Sequence, residues 1–415
     1  MKMDKNLHIP QGYRQTEVGV IPDDWSKLEL NDIFNISSKK FNPIVSSENK
    51  KCIELEHLSQ NTGVLLGFTN SKEQLSIKNI FTKGQILYGK LRPYLRKYWQ
   101  SEFSGVCSSE IWVLNNKKIT NKYLFQFIQT NKFNQVANVS TGSKMPRADW
   151  KYMSQIPFII PPKQEQQKIA DILTTWDNAI NQQTTLIEKK QQLKKGLMQQ
   201  LLTAKTRFSE FSDDWEIVKL NNIGITYNGL TKKTAIDFQN GSYKYIAYMN
   251  IFSNSKINTL ISDFVQIQLN ENQNKVQYGD IFFTTSSETP EEVGMSSVLL
   301  EDIENTYLNS FCFAYRLNNF DTLLPEFAQF YFRSFFVRYE ILRLAQGSTR
   351  FNISKKEVLK IKILLPSVRE QQKIAQVLTL ADDEITKLQT ELVLLKIQKK
   401  GLMQQLLTGK IRIKI

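Results

Sequence analysis

KKGLMQQLLT, residues 194–203, stands again at 399–408, and EQQKIA, residues 165–170, stands again at 370–375. Both pairs are offset by 205 residues, so one ungapped block, 165–205, recurs as 370–410 with 22 identities in 41 positions. A repeat of that length is one structural unit used twice. In the second copy the residues Ile374, Leu378, Ala381, Ile385, Leu388, Leu392, Leu395, Lys399, Leu402 and Leu406 alternate steps of four and three. The first copy matches them with Ile169, Leu173, Trp176, Ile180, Gln183, Ile187, Lys190, Lys194, Leu197 and Leu201. This is a heptad seam, and it predicts a long helix in each copy. Ser367 with Glu370 three residues on predicts a capping box, and Pro161-Pro162 precedes the first helix. Gly409 predicts the stop of the second helix; Ala204 stands in its place in the first, which predicts a slightly longer helix there. At about 1.5 Å per residue the block makes a rod of roughly 60 Å. The seam predicts an intramolecular antiparallel coiled coil between the copies, with a globular region at each end and a pseudo-twofold axis between them. The competing arrangement packs each helix on its own half as ordinary core. Gly196 and Gly401 fall inside the helices, where glycine costs about 1 kcal/mol relative to alanine. They predict a kink or a close helix approach, unless shared ancestry alone retains them.

The repeat reaches beyond the helices. Asp23-Asp24-Trp25 returns as Asp213-Asp214-Trp215, Gly142-Ser143 as Gly347-Ser348 and Pro161 as Pro366. The offset is 190 at the first of these and 205 at the others, so the second half carries 15 extra residues in its variable part. The expected segments are a first globular domain at 1–160, a first long helix at 161–207, a second domain at 208–365 and a second long helix at 366–415. The fold class is α+β: two mixed α/β domains in tandem pseudo-twofold repeat, separated by the paired helices. QILY (85–88), EIWVL (110–114), DIFFTT (280–285) and FCFAYRL (311–317) predict strands. YLFQFIQ (123–129) and PEFAQFYFRSFFVRYEILRLA (325–345) predict helices.

A chain of 415 residues exceeds one ordinary core. No run approaches the roughly 18 apolar residues of a membrane span, and the start lacks a signal-peptide pattern. Three scattered cysteines, Cys52, Cys107 and Cys312, have no metal or CxxC spacing, which fits a reducing, cytoplasmic setting. Two histidines, His8 and His57, exclude chemistry that needs a histidine cluster. The net charge of +14 points to a polyanionic partner. It is uneven: residues 26–160 hold 19 Lys+Arg against 9 Asp+Glu, whereas 212–365 hold 15 against 17.

Gly84–Lys90 fits GxxxxGK, but Leu91 replaces the hydroxyl residue that would hold magnesium, and the interior is apolar and strand-like. Asp23 and Glu29 with nearby lysines could form a nuclease-like set, yet the second copy of Asp-Asp-Trp lacks the downstream acid and lysine, so a turn and helix-start role fits better. Glu54 and Glu56 alternate on an apparent strand as hydrogen-bond acceptors. No catalytic residue and no metal site is expected. Nucleic-acid contacts are expected in KGQILYGKLRPYLRKYW (83–99), where Lys83, Lys90, Arg92, Arg96 and Lys97 lie among Tyr88, Tyr94, Tyr98 and Trp99. They are expected too in GSKMPRADWK (142–151), from Ser143, Lys144 and Arg147, and in GSTRFNISKK (347–356), from Ser348, Thr349, Arg350 and Asn352. These two loops hold equivalent places with different side chains, as two readers of different sequences require.

The chain resembles the specificity subunit of a type I restriction–modification enzyme along its whole length. The resemblance rests on TEVGVIPDDW (16–25), the TGSKMPR and QGSTRFN loops, PPKQEQQKIA and PSVREQQKIA, and the two KKGLMQQLLT blocks. KLRPYLRK with CSSEIWVL, and GDIFFTTSSETPEEVGMSS with YLNSF, resemble known target recognition domains. The latter adds Thr285 and Ser286 to the expected DNA contacts. The resemblance implies two target recognition domains, each reading one part of a bipartite, asymmetric site in double-stranded DNA. It implies two modification subunits, which bind S-adenosylmethionine and methylate adenine, and two restriction subunits that use ATP and magnesium. No cofactor is expected on this chain. Docking of the modification subunits is expected at Gly196, Leu197, Met198 and Gln199 and at Gly401, Leu402, Met403 and Gln404. The rod sets the spacer between half-sites, and LLTAK (201–205) resembles the segment whose length tunes it.

Overall fold

A computed structural model of the chain describes residues 9–17, 19–139, 144–239, 241–268 and 270–413. The chain divides into two units, one of residues 1–184 and 390–415, the other of residues 185–389. Two helices, Lys163–Leu201 and Val368–Leu406, each contribute to both units. Within the first unit Asp177 accepts from Lys399 at 2.5 Å and Gln183 donates to Glu391 at 3.1 Å. Within the second, Lys190 pairs with Glu384 at 2.6 Å and Lys194 with Asp382. Ascending numbers on one helix meet descending numbers on the other, so the pairing is antiparallel in each unit. Every seam position named above is buried or half-buried, including Lys399 and both terminal leucines.

The helix ends depart from expectation in two ways. The first helix does not outrun the second. Both have 39 residues, and Ala204 itself takes the left-handed conformation (φ 56°) that Gly409 takes at φ 71°. The stretch 202–205 therefore lies beyond the helix rather than in it. The capping box forms only by half. Ser367 Oγ accepts from the Glu370 N–H at 3.4 Å, but the Glu370 carboxylate is taken by Arg207, through Nε at 3.0 Å and Nη2 at 2.8 Å. The same bond recurs 205 residues on: Arg412 reaches Glu165 through Nε and Nη2, both at 2.9 Å. Each carboxylate is almost wholly buried, at 0% exposure for Glu165 and 1% for Glu370. The tail after one helix thus clamps the start of the other within each unit. The Trp25 indole N–H adds a bond of 2.8 Å to Glu165, whereas the equivalent Trp215 N–H has no partner among the described residues.

Each unit carries the same lobe. In the first, a four-stranded sheet runs Tyr98–Gln100, Ile86–Gly89, Ile111–Asn116, Phe34–Ile36. In the second the order is Ser296–Val298, Ile281–Thr284, Cys312–Leu317, Gly224–Asn228. Each lobe adds a further sheet built around one parallel pair, Lys51–Ile53 with Gly105–Cys107 and Tyr243–Ile246 with Thr306–Leu308. Ser26–Glu29 pairs with Pro157–Ile160, and Glu216–Lys219 with Lys362–Leu365, so each lobe closes where it opened, just before its long helix. The offset between copies climbs from 190 (Ser26, Glu216) through 195 (Ile86, Ile281) and 201 (Ile111, Cys312) to 205 (Pro157, Lys362). The 15 extra residues are therefore spread through the connections, where insertions disturb packing least.

The single helix expected over 325–345 is two helices, Pro325–Tyr331 and Phe335–Leu342. Ser334 sits in an extended conformation (φ −66°, ψ 154°) that no α-helix can continue through. Thr130 makes the same break between Asn121–Phe127 and Asn131–Ala137, its side chain accepting from the Phe133 N–H. Aromatic residues on both sides of Arg333-Ser334 hid this boundary, because Ser334 alone marks it.

Candidate nucleic-acid interface

In the first unit the strand Ile86–Gly89 is followed by Lys90, Leu91 and Arg92, one 3-10 turn at Pro93–Leu95, then Arg96 and Lys97. A second arm, 144–149, passes beside it on the way to the helix Trp150–Met153. Leu91 and Arg147 form an antiparallel bridge, Arg92 N–H donates to Pro146 O at 2.8 Å, and Ala148 N–H to Lys90 O at 2.9 Å. The second unit builds the same contact. Ser286–Ser287 pairs with Phe351–Asn352, and Ile353 N–H donates to Thr285 O at 3.0 Å. Ala148 and Ile353 are equivalent, as are Lys90 and Thr285. One backbone arrangement therefore brings two arms together twice, with different side chains each time.

The two faces are shaped differently. Arg92 (φ 50°) and Arg96 (φ 48°) bracket the 3-10 turn in the left-handed region, a conformation that costs a non-glycine residue roughly 1–2 kcal/mol. Such strain gathers at functional loops. In the second unit Gln346 and Asn352 exchange two backbone bonds, at 2.9 and 2.8 Å, and the chain between them turns at Gly347. A Cβ on Gly347 would lie 2.1 Å from Arg350 O, so the turn requires glycine. Ser348, Thr349 and Arg350 stand exposed at its tip.

Among the described residues, Lys90, Arg92, Arg96, Lys144 and Arg350 have no ion-pair partner, and Arg92, Lys144 and Arg350 are exposed. Arg147 is held by Glu110, Nε to Oε2 at 3.0 Å and Nη2 to Oε1 at 3.4 Å. Lys97 Nζ donates to Leu55 O at 2.6 Å, which ties the loop to the 3-10 turn Leu55–His57. Lys83 is set apart: it precedes the strand whose other end leads to Lys90. Of the interleaved aromatics only Tyr94 is exposed; Tyr88, Tyr98 and Trp99 are core. Ser286 is buried as a pairing residue, with Tyr248 Oη donating to its carbonyl at 2.7 Å. Thr285 lines a cavity of about 310 Å³ with Asn228, Thr231, Ser310, Phe313 and Lys355. Asn352 is exposed, its amide donating to Arg350 O at 3.4 Å. Ser143, with Gly142, lies outside the described residues.

Sequence reasoning missed Glu110 and the two clamp arginines. Arg207 and Arg412 obey the same 205-residue offset as the helices, which is the signal that finds them. The acids near residue 23 do not gather into a carboxylate set. Asp24 pairs with Arg412 at 2.8 Å, and Lys27 pairs with Glu17 at 2.6 Å. Glu54 accepts from the buried Lys78 at 2.6 Å. No group of three or more His, Cys, Asp or Glu among the described residues could hold a metal ion, and no helix there is long and apolar enough to cross a membrane.

On the helices, Leu197 and Met198 pack against the core of the second unit, and Leu402 and Met403 against that of the first. Gln199 and Gln404 are exposed. Both helices run on past Gly196 and Gly401, and nothing lies within 4 Å of where a Cβ on either would stand. The close helix approach expected at these glycines is thus not made among the described residues.

The family model described as "Type I restriction modification DNA specificity domain" matches the chain twice, at residues 22–194 and 212–395. The MjaVIII specificity subunit of Methanocaldococcus jannaschii, a type I restriction enzyme component, is 26% identical over 95% of this chain and 94% of its own length. The EcoDI specificity subunit of Escherichia coli is 33% identical over 160 residues, 38% of this chain and 36% of that one. Among solved structures, a type I restriction–modification S subunit from M. genitalium superposes with TM-score 0.56 at 14% identity, covering 100% of this chain and 99% of its own. A chain from a study of complex assembly and conformational transition in a type I system gives TM-score 0.59 at 14% identity, covering 94% and 99%. At such identities the likeness is one of fold.

Proposed function

Because the chain belongs to the type I restriction–modification DNA specificity family, as a specificity subunit with two DNA specificity domains, we propose that each domain reads one half of a bipartite, asymmetric site in double-stranded DNA. Specificity subunits are the non-catalytic DNA-recognition components of these complexes, so the chemistry belongs to partners. Residues 1–160 serve as one target recognition domain and 208–365 as the other. The helical segments 161–207 and 366–415 set the spacer and dock two modification subunits. S-adenosylmethionine is bound by those subunits; ATP and magnesium act with two restriction subunits; the complex works in the cytoplasm.

One observation carries the reading: the paired arms share a backbone bond, Ala148 to Lys90 and Ile353 to Thr285, but not their side chains. A constant frame with interchangeable contacts is what reading two unlike half-sites needs. The repeated Gly-Leu-Met-Gln, exposed at both glutamines, offers equal partners equal surfaces. Lys90, Arg92, Arg96, Lys97, Lys144 and Arg147 with Tyr94 serve one half-site. Thr285, Ser348, Thr349, Arg350 and Asn352 serve the other.

Co-expression with the modification subunit, followed by genome-wide mapping of methylated adenine, tests this. One bipartite motif is expected. Methyl transfer by the isolated chain, or binding by the assembled complex that ignores salt, would overturn it.

A further inference from the structure

We infer that Arg338 is a positioning residue: it fixes the shape of the 285–294 loop through the loop's main chain, and so sets how the second domain reads its half-site. The inference rests on the function proposed above. Arg338 lies on the helix Phe335–Leu342, beneath the loop rather than on it. Its Nη1 donates to Gly294 O at 2.5 Å, and its Nη2 to Glu291 O at 2.8 Å and Val293 O at 2.7 Å. All three acceptors are backbone carbonyls, and among the described residues no carboxylate pairs with Arg338. A guanidinium turned inward with no counter-ion is expensive to bury. Burial accordingly pulls its pKa down to about 10. What that cost secures is the geometry of one turn, the 3-10 segment Pro290–Glu292 and the glycine that ends it.

Two further contacts make the support rigid. Gly294 is left-handed (φ +65°), and a Cβ there would meet Ile341 at 2.6 Å and Ile353 at 2.7 Å. Ile341 belongs to the Arg338 helix, and Ile353 to the second arm, one residue after Asn352. The helix therefore braces the base of both arms at once. At the other end of the loop the Tyr248 hydroxyl holds Ser286 O. The loop is gripped by its carbonyls at both ends, which leaves the side chains of Glu288 and Thr289 exposed between them.

The first unit does without this device. Asn134 occupies the matching place, four residues after the Thr130 break as Arg338 is four after Ser334. Its amide turns back to Thr130 O and to Ile128 O at the end of the preceding helix, not to the loop. The 90–97 loop is held instead by its own turns, by backbone bonds to Pro146 and Ala148, and by Lys97. A change at Arg338 consequently has an internal control in the half-site read by the first domain.

The test uses the full chain co-expressed with its modification subunit, as wild type, Arg338→Met, Arg338→Lys and Arg333→Met. Arg333 is the comparison for a structural arginine: it also bonds only carbonyls, of Ile251, Phe252, Asn254 and Ser296, none of them within the 285–294 loop. Methylated sites are mapped for each. Arg338→Met is expected to relax the half that Arg350→Ala relaxes, with discrimination against single-base changes there falling roughly tenfold or more. The other half and the spacer stay as in wild type. Arg338→Lys, which keeps the charge and one or two of the bonds, recovers part of the discrimination and answers the question if the methionine variant does not assemble. An unchanged motif in both variants, relaxation of both halves, or the same relaxation from Arg333→Met overturns the inference. Absence of any bipartite motif in wild type would instead overturn the proposed function.

Discussion

The two domains present the same pair of arms at the same point of the same sheet, yet one presents them with a surplus of positive charge and the other does not. In the first, Lys90, Arg92, Arg96 and Lys144 have no ion-pair partner among the described residues, and the loop stores strain at two left-handed arginines. In the second, Arg350 stands at a glycine turn with no ion-pair partner among the described residues, and the facing loop exposes Glu288 and Glu291. Backbone pairing is common to both; charge and loop support are not. Affinity for phosphates and the reading of bases are separable tasks. This chain weights them differently in its two halves.

The largest effect expected comes from the clamps, where the first half adds two hydrogen bonds that the second lacks, Trp25 to Glu165 and Arg412 to Asp24. Arg412→Ala strands the buried Glu165 and is expected to cost about 3 kcal/mol of stability. Trp25 still donates to that carboxylate. Glu370 has no such second donor, since the Trp215 N–H is unpaired among the described residues, so Arg207→Ala is expected to loosen its unit further. Hydrogen exchange read by peptide mapping assigns each loss to its unit. If both variants loosen both units alike, the clamps do not act within their own halves.

Next in size is binding. Arg92→Ala is expected to lower the affinity of the assembled complex for its target roughly tenfold and to reduce the slope of log affinity against log salt by about one. Arg147→Ala is expected to do less, because Glu110 already holds that guanidinium. Arg350→Ala is expected to relax the opposite half-site. Competition titrations across a salt series measure all three. An effect of Arg147→Ala equal to that of Arg92→Ala would mean that the Glu110 pair opens on DNA. Relaxation of the same bases by Arg92→Ala and Arg350→Ala would end the two-reader comparison.

The repeat made the architecture legible. Heptad spacing marked both helices, and every seam residue named from sequence is buried or half-buried in the fold. Strands such as EIWVL stood out because they are short, apolar and β-branched or aromatic between turns. The site was only partly legible, for a physical reason. A basic, aromatic run shows what could touch DNA, but not which side of the strand each residue takes. Tyr88, Tyr98 and Trp99 went inward, Ser286 became a pairing residue, and Lys83 fell at the far end of its strand. Glu110 and Arg338 lie distant in sequence from the loops they steady, and contacts of that kind follow from tertiary packing, not from local pattern.

The smallest effect separates the two copies at a single position. Ala204 and Gly409 are equivalent and both left-handed, at φ 56° and 71°. Alanine carries a steric penalty there that glycine avoids. Ala204→Gly is therefore expected to stabilise the chain by about 0.5–1 kcal/mol, less the backbone entropy that glycine adds to the unfolded state. Gly409→Ala is expected to do more than reverse that gain. It would bring the same penalty and a Cβ only 2.7 Å from Pro22 and 3.4 Å from Trp25, which in turn bonds Glu165. Thermal unfolding of the two single variants checks both signs. A destabilised Ala204→Gly would show that the first helix end is held in its left-handed turn by contacts of the alanine methyl, and the two copies would then differ in mechanism and not only in residue.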